Sequence, residues 1–262
     1  MKIDVVIVVK NEAFKLQMCC KELLKRVPLN NLIIIVGKSK DNTLVTAQKY
    51  ANIILEDENK GVGYARRLGL EKVETEYYAS VDSDVILSRD WFSWCINTIQ
   101  KPRVAACEGY PRPLGAHYAE LQRFGLMQGY CSLGNTMLRA HVVREVEMPL
   151  VCWGEDYALK ERLESRGYNW VVNPDLVSIH LVNDMDMVRH CVNFGVSLGR
   201  HQNVSYWSLV KGTLWSFKDF AFQANNSGLN LSTYVLLLRL TRNFSILYGN
   251  FGKSKDIQSR DW

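Results

Sequence analysis

Two carboxylates stand one residue apart at Asp82 and Asp84, with Ser83 between them, directly after the apolar run Tyr77–Val81. At this spacing they can share one divalent cation, or divide metal and sugar contacts between them. Mg²⁺ and Mn²⁺ prefer oxygen ligands and bind substrate phosphates beside one or two carboxylates. The triplet also fits a solvated turn or a helix cap, where Asp is common. A second acidic pair, Glu155 and Asp156, follows Gly154 at the head of a helical stretch that runs to Arg166. A carboxylate there is favoured by the helix dipole, so a cap accounts for it. The other reading makes Asp156 a general base toward an acceptor hydroxyl, with Trp153 as an apolar wall. His180 follows the apolar run Leu176–Ile179. A lone His is more often structural, yet imidazole is a ligand for transition metals. In Lys60–Arg67, Gly61 and Gly63 precede a helix. Such a segment lets backbone approach a phosphate, although capping explains it equally. It is too short for a dinucleotide fingerprint and does not follow the first strand.

Positioning these groups requires strand ends. Apart from Asp4, Ile3–Val9 is a continuous β-branched run, the pattern of a strand buried on both faces. The same reading predicts strands over 32–36, 53–55, 77–81, 104–107, 135–138, 170–172 and 176–179. Helices are predicted over 12–25, 43–50, 63–73, 91–99, 117–127 and 155–166. Alternation of this kind in the first half implies parallel βαβ units. Their ligand crevice lies outside the carboxyl ends of the strands. Lys10-Asn11-Glu12, Lys38-Ser39-Lys40-Asp41 and Asp82-Ser83-Asp84 occupy those positions.

The 262 residues are 47% hydrophobic and 23% charged, which suits a large α/β domain and excludes a disordered or low-complexity chain. Seven cysteines with no CxxC pair argue against a disulfide framework or a zinc site, and for reduced thiols in a cytoplasmic protein. No secretory leader is expected, nor a membrane span. The net charge of +5 is uneven. Residues 189–262 hold nine Lys and Arg against three Asp, so this segment carries +6 and the remainder −1.

Taken in order, the segments VVIVVKNE (5–12), IIVGKSKDNT (34–43), NKGVGYARRLG (59–69), SVDSD (80–84), Asp90-Trp91, GED (154–156), Arg162-Leu163, Gly167-Tyr168 and His180 resemble the family-2 glycosyltransferases. The resemblance runs from about residue 3 to 199. It implies a GT-A-type α/β fold: a mostly parallel central sheet flanked by helices, with a Rossmann-like nucleotide-binding half. The expected organisation is a catalytic domain over 1–183, donor half about 1–100 and acceptor half about 101–183. A helical, basic, aromatic region follows over 184–262. The resemblance further implies inverting transfer from a UDP- or GDP-sugar to a saccharide or lipid-linked acceptor, assisted by Mn²⁺ or Mg²⁺. Val8, Val9 and Glu12 match positions that bind base and ribose. Arg66 matches an Arg near the nucleotide, although Arg67 replaces the usual Asn. Asp82, with Ser83, would contact ribose or sugar. Asp84 would hold the metal, with His180 at a position that often helps. Asp156 would be the base, with Glu155 beside it as the other candidate. One departure is plain: the family's usual Asp pair after the second strand is replaced by Val36 and Gly37, followed by Lys38. That leaves the donor base open and offers Lys38 and Lys40 to phosphate. It also motivates a rival reading, a catalytically degenerate nucleotide-sugar-binding protein.

In the tail, residues 233–248 combine large apolar residues with Arg239 and Arg242. They are expected to form a helix lying in the cytoplasmic membrane interface, or else one packed on the catalytic domain or at a dimer contact. No nucleic-acid partner is expected, because the basic residues are spread among apolar runs and no recognised motif is present.

Overall fold

A computed structural model describes residues 1–58, 60–117, 119, 131–150, 154–201, 204–227 and 229–251. The described residues divide into two compact units, one within 1–112 and 131–181, the other within 113–119 and 182–251. Trp153 and most of the helix expected over 117–127 lie outside the described residues.

The first unit runs β1 (Ile3–Val9), α1 (Ala13–Arg26), β2 (Leu29–Val36), α2 (Thr43–Tyr50), β3 (Ile53–Glu56), α3 (Val62–Glu71) and β4 (Tyr77–Asp82). Next come β5 (Val85–Ile86), α4 (Trp91–Ile99), β6 (Val104–Pro113), β7 (Asn135–Arg139), α5 (Ala140–Val146), α6 (Glu155–Ser165) and β8 (Asn169–His180). The strands form one sheet of order β3-β2-β1-β4-β7-β6-β8-β5.

The continuous apolar runs form the centre of this sheet because both of its faces are covered. Ile3, Val5, Ile7 and Val9 point into one core with Leu32, Ile34, Ala79 and Val81. Helices α1, α2 and α4 close that side with Leu16, Cys20, Ala47, Trp91 and Ile99. Val6, Ile33, Ile35 and Tyr78 point the other way, where Ala65, Val143, Leu159 and Leu163 of α3, α5 and α6 cover them. The period of two in a strand sends neighbours to opposite cores. At roughly 1.5–3 kcal/mol per fully buried aliphatic side chain, these two layers dominate the unit's stability. Among the described residues, the buried Cys19, Cys20, Cys95, Cys107 and Cys131 are free thiols, as is the half-buried Cys191.

Parallel pairing covers β3-β2-β1-β4. Beyond β4 the expected parallel pattern gives way: β7 runs antiparallel to β4 and to β6, and β5 antiparallel to β8. The sheet is therefore mixed. The two short strands read at 170–172 and 176–179 are one strand, and α5 and β5 carried no periodic signal long enough to read.

Register sets the ligand edge. Val9 lies beside Val36, and Val8 beside Asp82, so three parallel strands end together. The antiparallel return of β7 brings residues 131–134 against the end of β4, where the Asp82 amide donates to the Gly134 carbonyl at 3.0 Å. Val85 pairs with His180, which carries the end of β8 to the same edge.

The second unit contains α7 (Asp184–His201), α8 (Tyr206–Ser227) and α9 (Leu229–Phe251). Leu231, Val235 and Leu238 of α9 pack with Met187, Val188 and Cys191 of α7. No helix among the described residues is long and apolar enough to cross a membrane.

Candidate active site

Asp82 closes β4, and Ser83 and Asp84 form the turn into β5. Ser83 and Asp84 are buried, while the Asp82 side chain stays 37% exposed. The turn is held from two sides.

On one side stands Arg66, a buried guanidinium on α3. Its Nη2 donates to Asp82 Oδ1 at 2.8 Å, and its Nη1 pairs with Glu155 Oε1. Gly61, at φ 97°, begins α3, a backbone state that an L-residue rarely adopts. Glu155 opens α6, with Gly154 ahead of it in the left-handed conformation. The guanidinium thus joins the end of β4 to the start of α6, and two carboxylates balance its charge.

On the other side Asp84 meets His180 and Lys15. His180 Nε2 lies 3.3 Å from Asp84 Oδ1, and Lys15 Nζ 3.4 Å from Oδ2. Lys15 also reaches Glu12 Oε1 at 3.3 Å, and Ser83 Oγ donates to Glu12 Oε2 at 2.5 Å. Burial works against ionisation of Asp84, but His180 and Lys15 outweigh it and hold its pKa below the usual value. Burial works against the charge on His180 too, and Asp84 overcomes it, so the imidazole pKa is raised. Glu12 is raised, by burial first and by the Asp84 charge second.

Asp156 follows Glu155 and is half-buried. One of its oxygens accepts the Tyr157 amide at 2.9 Å. Burial raises its pKa, and the charge of Asp82 adds to that, against the opposing Tyr157 amide and Arg66. A carboxyl shifted upward while ionisable is suited to receive a proton.

The structure therefore gathers Glu12, Arg66, Asp82, Ser83, Asp84, Glu155 and His180 into two linked clusters, with Asp156 next along α6. Val8 is half-buried beside Asp82, whereas the Val9 side chain lies in the core and leaves only its backbone to a ligand. The Val9 carbonyl already accepts the Gly37 amide at 2.8 Å. Lys38 is exposed on the loop after β2. That loop is laced to the first one: Asn11 N donates to Ser39 Oγ at 3.0 Å, and Lys40 N to Asn11 Oδ1 at 2.7 Å. Asp41 caps both neighbours, accepting the amides of Ala13 and Thr43.

Two further participants complete the site, one foreseeable from the sequence and one not. Lys15 sits one helical turn after Glu12, a spacing at which a partner was foreseeable. Gly134 was not foreseeable: a Cβ there would overlap the Asp82 carboxylate. Only the return of β7 alongside β4 creates that demand.

A family model described as "Glycosyl transferase family 2" matches residues 4–136, just over half of the chain. No curated protein matches by sequence. Among solved structures, the mannosyltransferase PcManGT from Pyrobaculum calidifontis, in complex with GDP-Man and Mn²⁺, aligns over 98% of this chain and 89% of its own. Its TM-score is 0.65 at 12% identity. Glucosyl-3-phosphoglycerate synthase from Mycobacterium tuberculosis, with Mn²⁺, UDP and phosphoglyceric acid, aligns over 72% of this chain and 73% of its own, with TM-score 0.53 and 16% identity. S. aureus TarS aligns over 88% of this chain and 45% of its own, with TM-score 0.54 and 16% identity. At these identities the likeness is one of fold, and the fold is GT-A. With the sheet edge, the Asp82–Asp84 turn and this match together, the chain belongs to glycosyl transferase family 2.

Proposed function

We propose that the protein transfers a sugar, with inversion, from a nucleoside diphosphate sugar to an acceptor hydroxyl. The observation that carries this reading is the Asp82–Arg66–Glu155 bridge, which ties the strand-end turn to the first turn of α6 and sets Asp156 beside it. The donor lies along the ends of β1, β2 and β4. Val8 and Glu12 flank its nucleoside, Lys38 faces phosphate and Asp82 contacts ribose or sugar.

A divalent metal fits the residues present. Among the described residues no three His, Cys, Asp or Glu side chains converge as a ready-made metal site. Asp84 and His180, 3.3 Å apart, do offer one oxygen and one nitrogen donor. Mg²⁺ and Mn²⁺ are commonly held by one or two protein groups with substrate phosphates completing the shell. Asp84 and His180 would hold the ion. When bound, it supplies Lewis-acid stabilisation of the departing diphosphate. The chain's own groups do the rest. Asp156 takes the proton from the acceptor hydroxyl. The acceptor oxygen bonds to the anomeric carbon as the bond to diphosphate breaks, and the nucleoside diphosphate leaves with its electron pair. Attack opposite the leaving group inverts the centre. Glu155, committed to Arg66, holds the guanidinium rather than taking the proton. The neighbours bound to GDP-Man and to UDP leave both nucleotides in play, and the absent Asp pair after β2 favours neither.

A lipid-linked acceptor at a membrane face is supported by α8 more than by residues 233–248. In α9, Val235, Leu238 and Ile246 are buried. Arg239 is paired with Asp219 and lies 4.6 Å over the Trp215 ring, so it does not present a bare cation to head groups. On α8, Trp207, Val210, Leu214 and Phe217 recur at spacings of three and four and are exposed, Trp207 at 67% and Leu214 at 66%. Exposed Lys211 and Lys218 border this stripe. Apolar insertion flanked by cations suits an anionic bilayer surface. Sedimentation with anionic liposomes should be lost in Trp207→Glu with Leu214→Glu. Binding unchanged by that pair would remove α8 from the account.

The transfer reading is tested by the product. With a UDP- or GDP-sugar, Mn²⁺ and a panel of acceptors, NMR of the new linkage should show inverted anomeric configuration. Retained configuration would contradict the single displacement and the role of Asp156.

A further inference from the structure

Glu108 is an ionisable group on β6 that the chemistry above does not use, and it is fully buried. Its Oε2 accepts Trp170 Nε1 at 2.5 Å and the Ser132 amide at 3.2 Å. Among the described residues its Oε1 has no hydrogen-bond partner. Buried carboxylates are rare unless paired, and among the described residues this one faces no cation at hydrogen-bond distance, so its placement calls for a reason.

The reason lies in what Ser132 does next. Ser132 Oγ accepts the Gly134 amide at 3.0 Å, and the Ser132 carbonyl accepts Thr136 Oγ1. The Gly134 carbonyl accepts the Asp82 amide at 3.0 Å, and Gly134 is the residue whose missing Cβ makes room for the Asp82 carboxylate. A continuous set of hydrogen bonds thus runs from Trp170 through Glu108, Ser132 and Gly134 to Asp82. We infer that Glu108 is a positioning residue of the donor site, anchoring the Ser132–Gly134 turn and through it fixing where Asp82 stands.

The anchor works in its neutral form. Burial raises the Glu108 pKa to about 8, with the Asp156 charge adding to it, while Trp170, the Ser132 amide and Lys160 oppose it. Three further titratable groups feel its charge, Cys95, Tyr157 and Cys131, and burial raises each, the Cys131 thiol to about 12. With Oε2 accepting two donors, the proton resides on Oε1. Below pH 8 the anchor is a neutral acceptor. Above it, a buried negative charge appears near Asp156 and the turn that holds Asp82, where it repels an anionic diphosphate and loads the Ser132 bond differently. This rests on the donor-site reading, and the two fail separately.

The probe is Mg²⁺ with GDP and with UDP, titrated calorimetrically from pH 7 to 9. In wild type the Kd should rise above pH 8. It should be about tenfold weaker at pH 9 than at pH 7, because one unit above the pKa leaves about a tenth of the anchor neutral. Glu108→Gln cannot ionise and keeps an oxygen for both donors, so its ratio of Kd at pH 9 to Kd at pH 7 should stay near one. Trp170→Phe removes a bond that favours the ionised form, so its limb should move to higher pH. Ser132→Ala breaks the relay without touching the buried acid and should weaken binding about tenfold at pH 7. A Glu108→Gln profile that rises as wild type does, or a Ser132→Ala protein that binds normally, would overturn the inference. If wild type binds neither nucleotide, the donor-site reading has failed. The anchor is then read from melting curves alone. Wild type should lose stability relative to Glu108→Gln between about pH 5 and 8 and no further above. That window follows because the unfolded acid ionises near its ordinary value of 4.5 and the folded one near 8. A parallel pair of curves overturns the neutral anchor.

Discussion

Replacing Arg66 with Met keeps the length of the side chain and removes the charge that joins β4 to α6. The Glu155 side chain is only 8% exposed, as is that of Arg66. Without the guanidinium, Glu155 becomes an unpaired buried carboxylate. Breaking one partner out of a buried pair costs about 3–5 kcal/mol. The Asp82 side chain, 37% exposed, is screened by water and adds at most about 1 kcal/mol. Arg66→Met should therefore cost about 4 kcal/mol. Glu155→Gln should cost less, because Arg66 retains Asp82. The double variant removes both charges together, so its cost should fall short of the sum by about 2 kcal/mol. Urea unfolding of the four proteins, followed by tryptophan fluorescence, measures the cycle. In a chain of this size 4 kcal/mol also lowers Tm by roughly 8–16 °C, which a melting scan can check. Additive costs would refute the argument, because they would mean that Arg66 and Glu155 do not share a buried pair.

Other consequences are read more simply. Asp156→Asn should lower kcat by at least about 100-fold with donor affinity nearly unchanged, the usual scale for a general base. Because burial raises the Asp156 pKa, the base is lost on acidification sooner than an ordinary Asp would be. The acid limb of kcat should lie above 3.8 and vanish in the Asn variant. Gly134→Ala, which places a methyl against the Asp82 carboxylate, should weaken nucleotide binding with little effect on Tm, and calorimetry beside a melting scan separates the two. Asp4 is a different case, fully buried in β1 and accepting the amides of Asn31, Glu74 and Thr75 and the Asn30 side chain. Burial works against its charge, but these bonds outweigh it and lower its pKa. Its contribution is thus complete above the unfolded value near 3.8 and lost as pH falls through the lower folded one. Asp4→Ala should cost about 3 kcal/mol at pH 7, since three amides are orphaned, and should flatten the acid unfolding curve of the protein.

The parallel half of the fold was legible because its signal is local. A β-branched run such as Ile3–Val9 can hardly be anything but a strand covered on both faces, and α2 and α4 fall where their periodicity places them. The mixed half was not. Whether β7 returns antiparallel depends on the pairing of Val81 with Asn135, a long-range choice that leaves no trace in the spacing of either segment. The same division holds at the site. Asp82, Asp84 and Glu155 announce themselves by type and by position at element ends. The demand for Gly134, and the burial of Glu108 between Trp170 and Ser132, exist only once distant strands are adjacent. Arg239 shows the converse. In sequence it is a cation in an apolar run, and only folding reveals Asp219 and Trp215 as its partners.

The central claim is that the turn after β4 is a metal-dependent site for a nucleoside diphosphate. Calorimetry of GDP and UDP with and without Mn²⁺ tests it on wild type and Asp84→Ala. Wild type should bind one of the two nucleotides, removal of Mn²⁺ should abolish or strongly weaken that binding, and Asp84→Ala should lose the Mn²⁺ dependence while it melts as a folded protein. Binding by Asp84→Ala with its Mn²⁺ dependence intact, or no binding of either nucleotide by wild type, would contradict it.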